Sequence, residues 1–127
     1  MCDKLLNLKN TEFQIAELLS KDVKSAKELQ NSLKKDKATI YRNLKSLIEK
    51  EVIREIKNSD GISFYEINCR IHNPIHPHFE CKVCKKITCL KSLTSEDTLS
   101  LSNYTDNFIE EIEIKIKGIC KNCKGIE

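Results

Sequence analysis

The chain has 127 residues, of which 32% are charged and 39% hydrophobic, with a formal net charge of +3. That length holds one ordinary domain or two small ones, and an aromatic content of 6% without tryptophan speaks against a large aromatic-lined ligand pocket. Residues 1–57 carry 13 Lys/Arg against 9 Asp/Glu, whereas residues 58–127 carry 9 against 10. A nucleic-acid-facing surface therefore belongs to the first half if it exists at all; a solvated lysine-rich surface gives the same count.

The opening MCDKLLNLKN has no long apolar stretch followed by a small-residue cleavage site. No uncharged apolar run approaches the roughly 20 residues that span a bilayer. The expected location is cytoplasmic, with no membrane association. Thiols stay reduced there, so seven cysteines point to metal rather than to disulfides.

In chain order, Thr11 can cap a helix to about Ser20, with Gln14 completing a capping box. Ser25-Ala-Lys-Glu28 is a second box, opening a helix to about Lys34. Asp36 or Lys37 begins a third that runs to about Lys50, where Ile40, Leu44, Leu47 and Ile48 share one face. The period then changes to two. The runs 52–57 and 62–67 flank Asn58-Ser-Asp-Gly61, a hairpin signal. Three short helices and a hairpin make a winged helix-turn-helix.

Pro74 and Pro77 mark an extended hinge. Beyond it, short strands are expected near Phe79–Cys81 and Lys86–Leu90. A helix from Ser92 to about Asn103, capped by Thr94 or Ser95, precedes a strand from Phe108 to Lys117. In that strand Ile112, Ile114 and Ile116 fall on one face and charged residues on the other. This apolar face exceeds what one helix covers, so a two-fold homodimer is expected, against a monomeric lobe sealed by its own helix. The predicted fold class is α+β: a winged helix-turn-helix domain over 1–68, a hinge over 69–78, and a small α/β dimerisation and metal-binding domain over 79–127.

Three groups of residues carry chemistry. On the third helix, Thr39, Tyr41, Arg42 and Lys45 lie away from the apolar stripe, with Lys35 and Lys37 at its start. In a helix-turn-helix such residues meet double-stranded DNA: Arg42 at a guanine edge or phosphate, Tyr41 at a thymine methyl, the lysines at phosphates. An ordinary solvated helix face is the plain alternative, and the adjoining hairpin argues against it.

Cys81-Lys-Val-Cys84 and Cys120-Lys-Asn-Cys123 form two CxxC knuckles. Four thiolates so spaced suit tetrahedral structural Zn²⁺. A thioredoxin-type redox pair needs one CxxC in a βαβ setting, and neither condition holds.

Cys69, His76, His78 and Cys89 remain as donors near the hinge, with Glu66 and His72 in reserve. Two thiolates and two imidazoles match Zn²⁺ better than Fe²⁺ or Mn²⁺, which prefer carboxylate-rich sites. A metal there would set the angle between the two lobes, which is a means of switching. Unrelated polar residues and two buried thiols are the alternative.

Several segments together resemble the ferric uptake regulator (Fur) family of bacterial metalloregulators. Ala38-Thr-Ile-Tyr-Arg-Asn-Leu44 is similar to its recognition helix, and Phe64-Tyr-Glu-Ile67 to the strand entering its hinge. His76-x-His78 before Cys81-x-x-Cys84 is similar to its His-rich segment and first knuckle, and Gly118-Ile-Cys120-x-x-Cys123 to its second. The resemblance implies a homodimeric repressor, not an enzyme, whose winged helices bind an AT-rich inverted repeat when a regulatory metal is loaded. Cys69 with Asn73-Pro-Ile-His76 is closer to the zinc-sensing (Zur) branch. The iron- and peroxide-sensing branches usually carry a carboxylate where Cys89 stands. A zinc-ribbon interaction module without specific DNA binding is the reading from a different class.

Overall fold

The computed structural model of the chain describes Leu8 and residues 10–68, 77–110 and 112–124. Helix α1 spans Asn10–Leu19, one residue ahead of the Thr11 cap expected from sequence. Asn10 itself takes φ 55°, a left-handed turn that asparagine tolerates, and Thr11 falls inside the first turn. A two-residue strand β1, Lys24–Ser25, leads into α2, Ala26–Leu33. The Ser25 hydroxyl accepts from the Glu28 amide and the Glu28 carboxylate accepts from the Ser25 amide, so the predicted capping box forms. Lys34 ends α2 in a left-handed conformation, and α3 follows over Lys37–Glu49.

The three helices pack by their apolar faces. Ile15, Ala16 and Leu19 of α1, Leu29 of α2, and Ile40, Leu44 and Leu47 of α3 are buried together with Val52, Ile53, Tyr65 and Ile67. Strands β2, Ile53–Lys57, and β3, Ser63–Ile67, form the antiparallel hairpin, and β1 adds to the far side of β3, giving the order β1-β3-β2. The short strand β1 was not legible from pattern, since two residues carry no period. Between Asn58 and Ile62 the loop holds Ser59, Asp60 and Gly61, with Gly61 at φ 81°, where a side chain would be strained.

Strand β3 departs from simple alternation: Phe64, Tyr65, Glu66 and Ile67 are all buried. Tyr65 and Ile67 face the helices. Phe64 faces the other way and packs with Val23, Ile56 and Ile87, the last of these on the second sheet. The wing is therefore covered on both faces.

The second sheet has the order β5-β4-β6, built from β4, His78–Cys81, β5, Ile87–Cys89, and β6, Lys115–Gly118. Strand β4 begins at the last residue of the expected hinge. It runs antiparallel to β5 and parallel to β6. Helix α4 spans Ser95–Ser102, with the Thr94 and Asp97 side chains forming a capping box.

One expectation for this lobe needs correction. The strand predicted over Phe108–Lys117 is regular only from Lys115, extended by one bond from the His78 amide to the Ile114 carbonyl. Helix α4 buries none of its residues, so it does not cover the lobe. Leu99, Tyr104 and Phe108 are exposed at 67%, 86% and 88%. Of that segment's alternating isoleucines, Ile112 and Ile114 are half-buried and Ile116 is exposed.

Candidate metal centres and DNA-facing helix

The Cys81, Cys84, Cys120 and Cys123 sulfurs all lie within 4.8 Å of one another. The first pair sits on the turn after β4 and the second on the turn after β6, brought together by the parallel pairing of Cys81 with Gly118. A methyl at Gly118 would meet the Phe79 ring at 3.3 Å, so glycine lets the strand end run close. The Cys84 and Cys120 sulfurs are 3.9 Å apart. Two sulfurs each at about 2.3 Å from one tetrahedral zinc stand about 3.8 Å apart, so the donor set fits that ion.

The amides of Cys120, Cys84 and Val83 all point at the Cys81 sulfur. They stabilise its thiolate and bring its pKa down to about 6. The Cys123 thiol is pushed up to about 12 by its hydrogen-bonded neighbour Cys120 and by burial. One thiolate is welcome here and further ones oppose each other, which is the electrostatics of a site completed by a cation.

A second group joins the two lobes. Glu66 of β3, His78 of β4 and Cys89 of β5 offer a carboxylate oxygen, an imidazole nitrogen and a sulfur within 4.8 Å of one another. His78 and Cys89 are register partners across β4 and β5. Glu66 reaches them because its face of β3 turns toward the second sheet. Its Oε2 lies 2.5 Å from His78 Nε2, and its Oε1 accepts from Arg54 Nε at 2.7 Å. Burial raises the Glu66 pKa, but hydrogen bonds from His78 and Arg54 outweigh it and hold the carboxyl below its ordinary value. Burial and the nearby Glu66 and Asp22 carboxylates push the Cys89 thiol up to about 12. Carboxylate, imidazole and thiol together suit a borderline dication.

Glu66, in reserve on sequence alone, lies in one group with His78 and Cys89. Cys69, His76 and His72 lie outside the described residues. The Val23 amide lies against Cys89, which places the loop before α2 at the edge of the same group.

Sequence reasoning missed a polar clasp beside this centre. Glu80, 2% exposed, accepts from the Ser59 amide with both oxygens, at 3.1 and 3.0 Å. Lys115 Nζ stands 2.8 Å from Glu80 and also donates to the Lys57 carbonyl. Asn58 Nδ2 donates to the carbonyl of Lys85, the residue that follows Cys84. These bonds pull Glu80 down to about 2, the hydrogen bonds from Lys115 and Ser59 outweighing burial. A glutamate flanked by Phe79 and Cys81 in a short strand was the available signal. Changing Glu80→Gln removes charge-assisted bonds of about 1.5–3 kcal/mol. Hydrogen exchange should then show the Ser59 amide exchanging faster while the amides of α3 keep their protection.

On α3, Tyr41, Arg42 and Lys45 are exposed, as are Lys35 and Lys37 before and at its start. Lys37 Nζ lies 5.8 Å over the Tyr41 ring. Thr39 is half-buried and its hydroxyl donates to Asp36, so it serves the start of the helix first. Lys50 is engaged with Glu12 of α1 at 2.8 Å.

The fold is a winged-helix unit joined to a small α/β lobe, with two groups of residues that could each hold a metal ion. The chain belongs to the Ferric uptake regulator family, whose sequence pattern matches residues 6–117. It is 30% identical over 91 residues to the ferric uptake regulation protein of Bacillus subtilis, covering 71% of this chain and 61% of that one. It is also 30% identical over 82 residues to the transcriptional regulator PerR of Clostridium acetobutylicum, covering 64% and 56%. The chain thus spans about 60% of the length of the curated relatives it matches. The Helicobacter pylori ferric uptake regulator, whose structure is described as having three functional metal-binding sites, superposes with a TM-score of 0.67 at 23% identity, over 92% of this chain and 83% of that one. Among the described residues no helix is long and apolar enough to cross a membrane.

Proposed function

We propose that the chain is a cytoplasmic, metal-dependent, DNA-binding transcriptional repressor of the zinc-responsive (Zur-like) type, acting as a homodimer. The observation that carries this reading is the meeting of Glu66, from the winged unit, with His78 and Cys89, from the second lobe. One ion bound by all three ties the helix that reads DNA to the lobe that pairs the two copies. Zn²⁺ at the four cysteines is structural. Zn²⁺ at the second group, with one further donor from Cys69 or His76, is regulatory. A thiolate and imidazoles favour zinc over harder ions.

Residues 1–68 act as the DNA-binding domain, 69–78 as the hinge and 79–127 as the dimerisation domain. The exposed apolar residues Leu99, Tyr104, Phe108 and Ile116 supply a surface for the second copy. Lys35, Lys37, Thr39, Tyr41, Arg42 and Lys45 face an AT-rich inverted repeat. The second reading is an iron- or peroxide-responsive regulator sensing Fe²⁺ or Mn²⁺. It is favoured by the single carboxylate of Glu66 and by the names of the two relatives.

Fluorescence anisotropy with an AT-rich inverted repeat tests the DNA reading. In the zinc-loaded chain, Lys35→Ala with Lys37→Ala should weaken binding at all sequences and reduce the log–log salt slope by about 2 per copy. Arg42→Ala should cost about 1–3 kcal/mol where it meets a base. Absence of specific, metal-dependent binding to the repeat belongs to a protein-interaction module instead.

A further inference from the structure

Arg54 stands beside the Glu66–His78–Cys89 group and is given no part by the readings above. It lies on β2 directly across from Glu66 on β3. Its guanidinium holds one oxygen of the carboxylate, Oε1, with Nε at 2.7 Å and a terminal nitrogen at 2.5 Å. The other oxygen, Oε2, faces His78 Nε2. The carboxylate is therefore oriented: one oxygen toward a fixed internal cation, the other toward the remaining donors.

That orientation bears on which ion fits. Mn²⁺ and related hard ions take about six ligands and readily accept both oxygens of a carboxylate. Zn²⁺ is satisfied by four, one atom from each side chain. A fork of N–H donors on Oε1 keeps that oxygen from chelating, because guanidinium and metal would have to share it at close range with like charge. We propose that Arg54 is a specificity-determining positioning residue that limits Glu66 to one-oxygen ligation, so that the centre selects a four-coordinate, sulfur- and nitrogen-preferring dication over a six-coordinate, oxygen-preferring one. The inference rests on Glu66, His78 and Cys89 forming a metal centre, as proposed above.

Arg54 is half-exposed and its side chain takes no part in the helix core, so its replacement spares the winged unit. The test uses the full chain with zinc held in the four-cysteine site, titrated with Co²⁺, Zn²⁺ and Mn²⁺ in turn. In Arg54→Met the preference for Zn²⁺ over Mn²⁺ should fall by about tenfold or more, as for loss of an outer-shell partner. The Co²⁺ d–d bands should weaken, because five- and six-coordinate cobalt absorbs less than four-coordinate. Arg54→Lys, which keeps a cationic donor for Oε1, should hold bands close to those of the original chain. If Arg54→Met shifts both affinities alike and leaves the cobalt bands unchanged, Arg54 is an ordinary cross-strand ion pair and the inference fails alone. If the unaltered chain takes up no second ion, the centre itself fails and the inference with it.

Discussion

With Cys120 and Cys123 both changed to alanine, the second lobe loses its fold even in excess zinc, while the three-helix unit keeps its own. The lobe has little else to hold it. Among the described residues of 79–127 the buried groups are Glu80, Cys81, Ile87 and Cys123, and α4 contributes none. A lobe so small needs a staple, and a structural zinc supplies about 10–16 kcal/mol of binding free energy that is also folding free energy. The winged unit has its own core around Ile15, Leu29, Ile40, Leu44 and Leu47. In the variant, amide exchange in β4, β5 and β6 should rise to near the unprotected rate, α1–α3 should retain protection, and bound zinc should fall by one per chain. A protected second sheet without these thiols would show that the four cysteines do not hold the lobe.

Glu66→Gln is the second change with a large expected effect. It keeps the shape of the side chain but replaces an anionic ligand with a neutral amide. Loss of a direct ligand should exceed the roughly 10–100-fold cost of losing an outer-shell partner, so the second metal should bind more than about 100-fold less tightly. The four-cysteine zinc should stay. DNA binding should stop responding to added metal, because only an ion that favours one arrangement of the lobes can shift it. Linkage supplies an independent check: the factor by which metal improves DNA affinity must equal the factor by which DNA improves metal affinity. Both factors should approach one in the variant. Measuring metal affinity by isothermal titration with and without DNA reads them directly.

Much of this architecture was legible because it is written locally. Ser25 and Glu28 at cap spacing, the Ile40–Leu44–Leu47 stripe and the Asp60-Gly61 pair each specify their element without distant partners. The CxxC spacing did the same for the four-cysteine group. What was missed depends on contacts between segments. The final strand is regular only from Lys115, because its alternation fixes which residues share a face but not how many of them pair with β4. On sequence alone Glu66 stands behind Cys69 and His76, because its position shows nothing of the second sheet that packs on its face of β3. Counting outward from the Asn58–Ile62 loop would have paired Arg54 with Glu66, which is how that contact could have been found. The clasp of Glu80 on the wing tip needed the packing of Phe64 against Ile87, which no local pattern encodes.

The central claim is that one ion holds the fold and another, shared between the lobes, controls DNA binding. The most direct measurement is metal content during stepwise chelation, with anisotropy of an AT-rich inverted repeat followed in the same samples. Two zincs per chain, one leaving early and DNA affinity falling in step with it, is the predicted result. One zinc per chain, with DNA binding indifferent to chelator and to every added dication, would contradict it: the four-cysteine site would remain as a structural element, and Glu66, His78 and Cys89 would form a hydrogen-bonded joint rather than a metal switch.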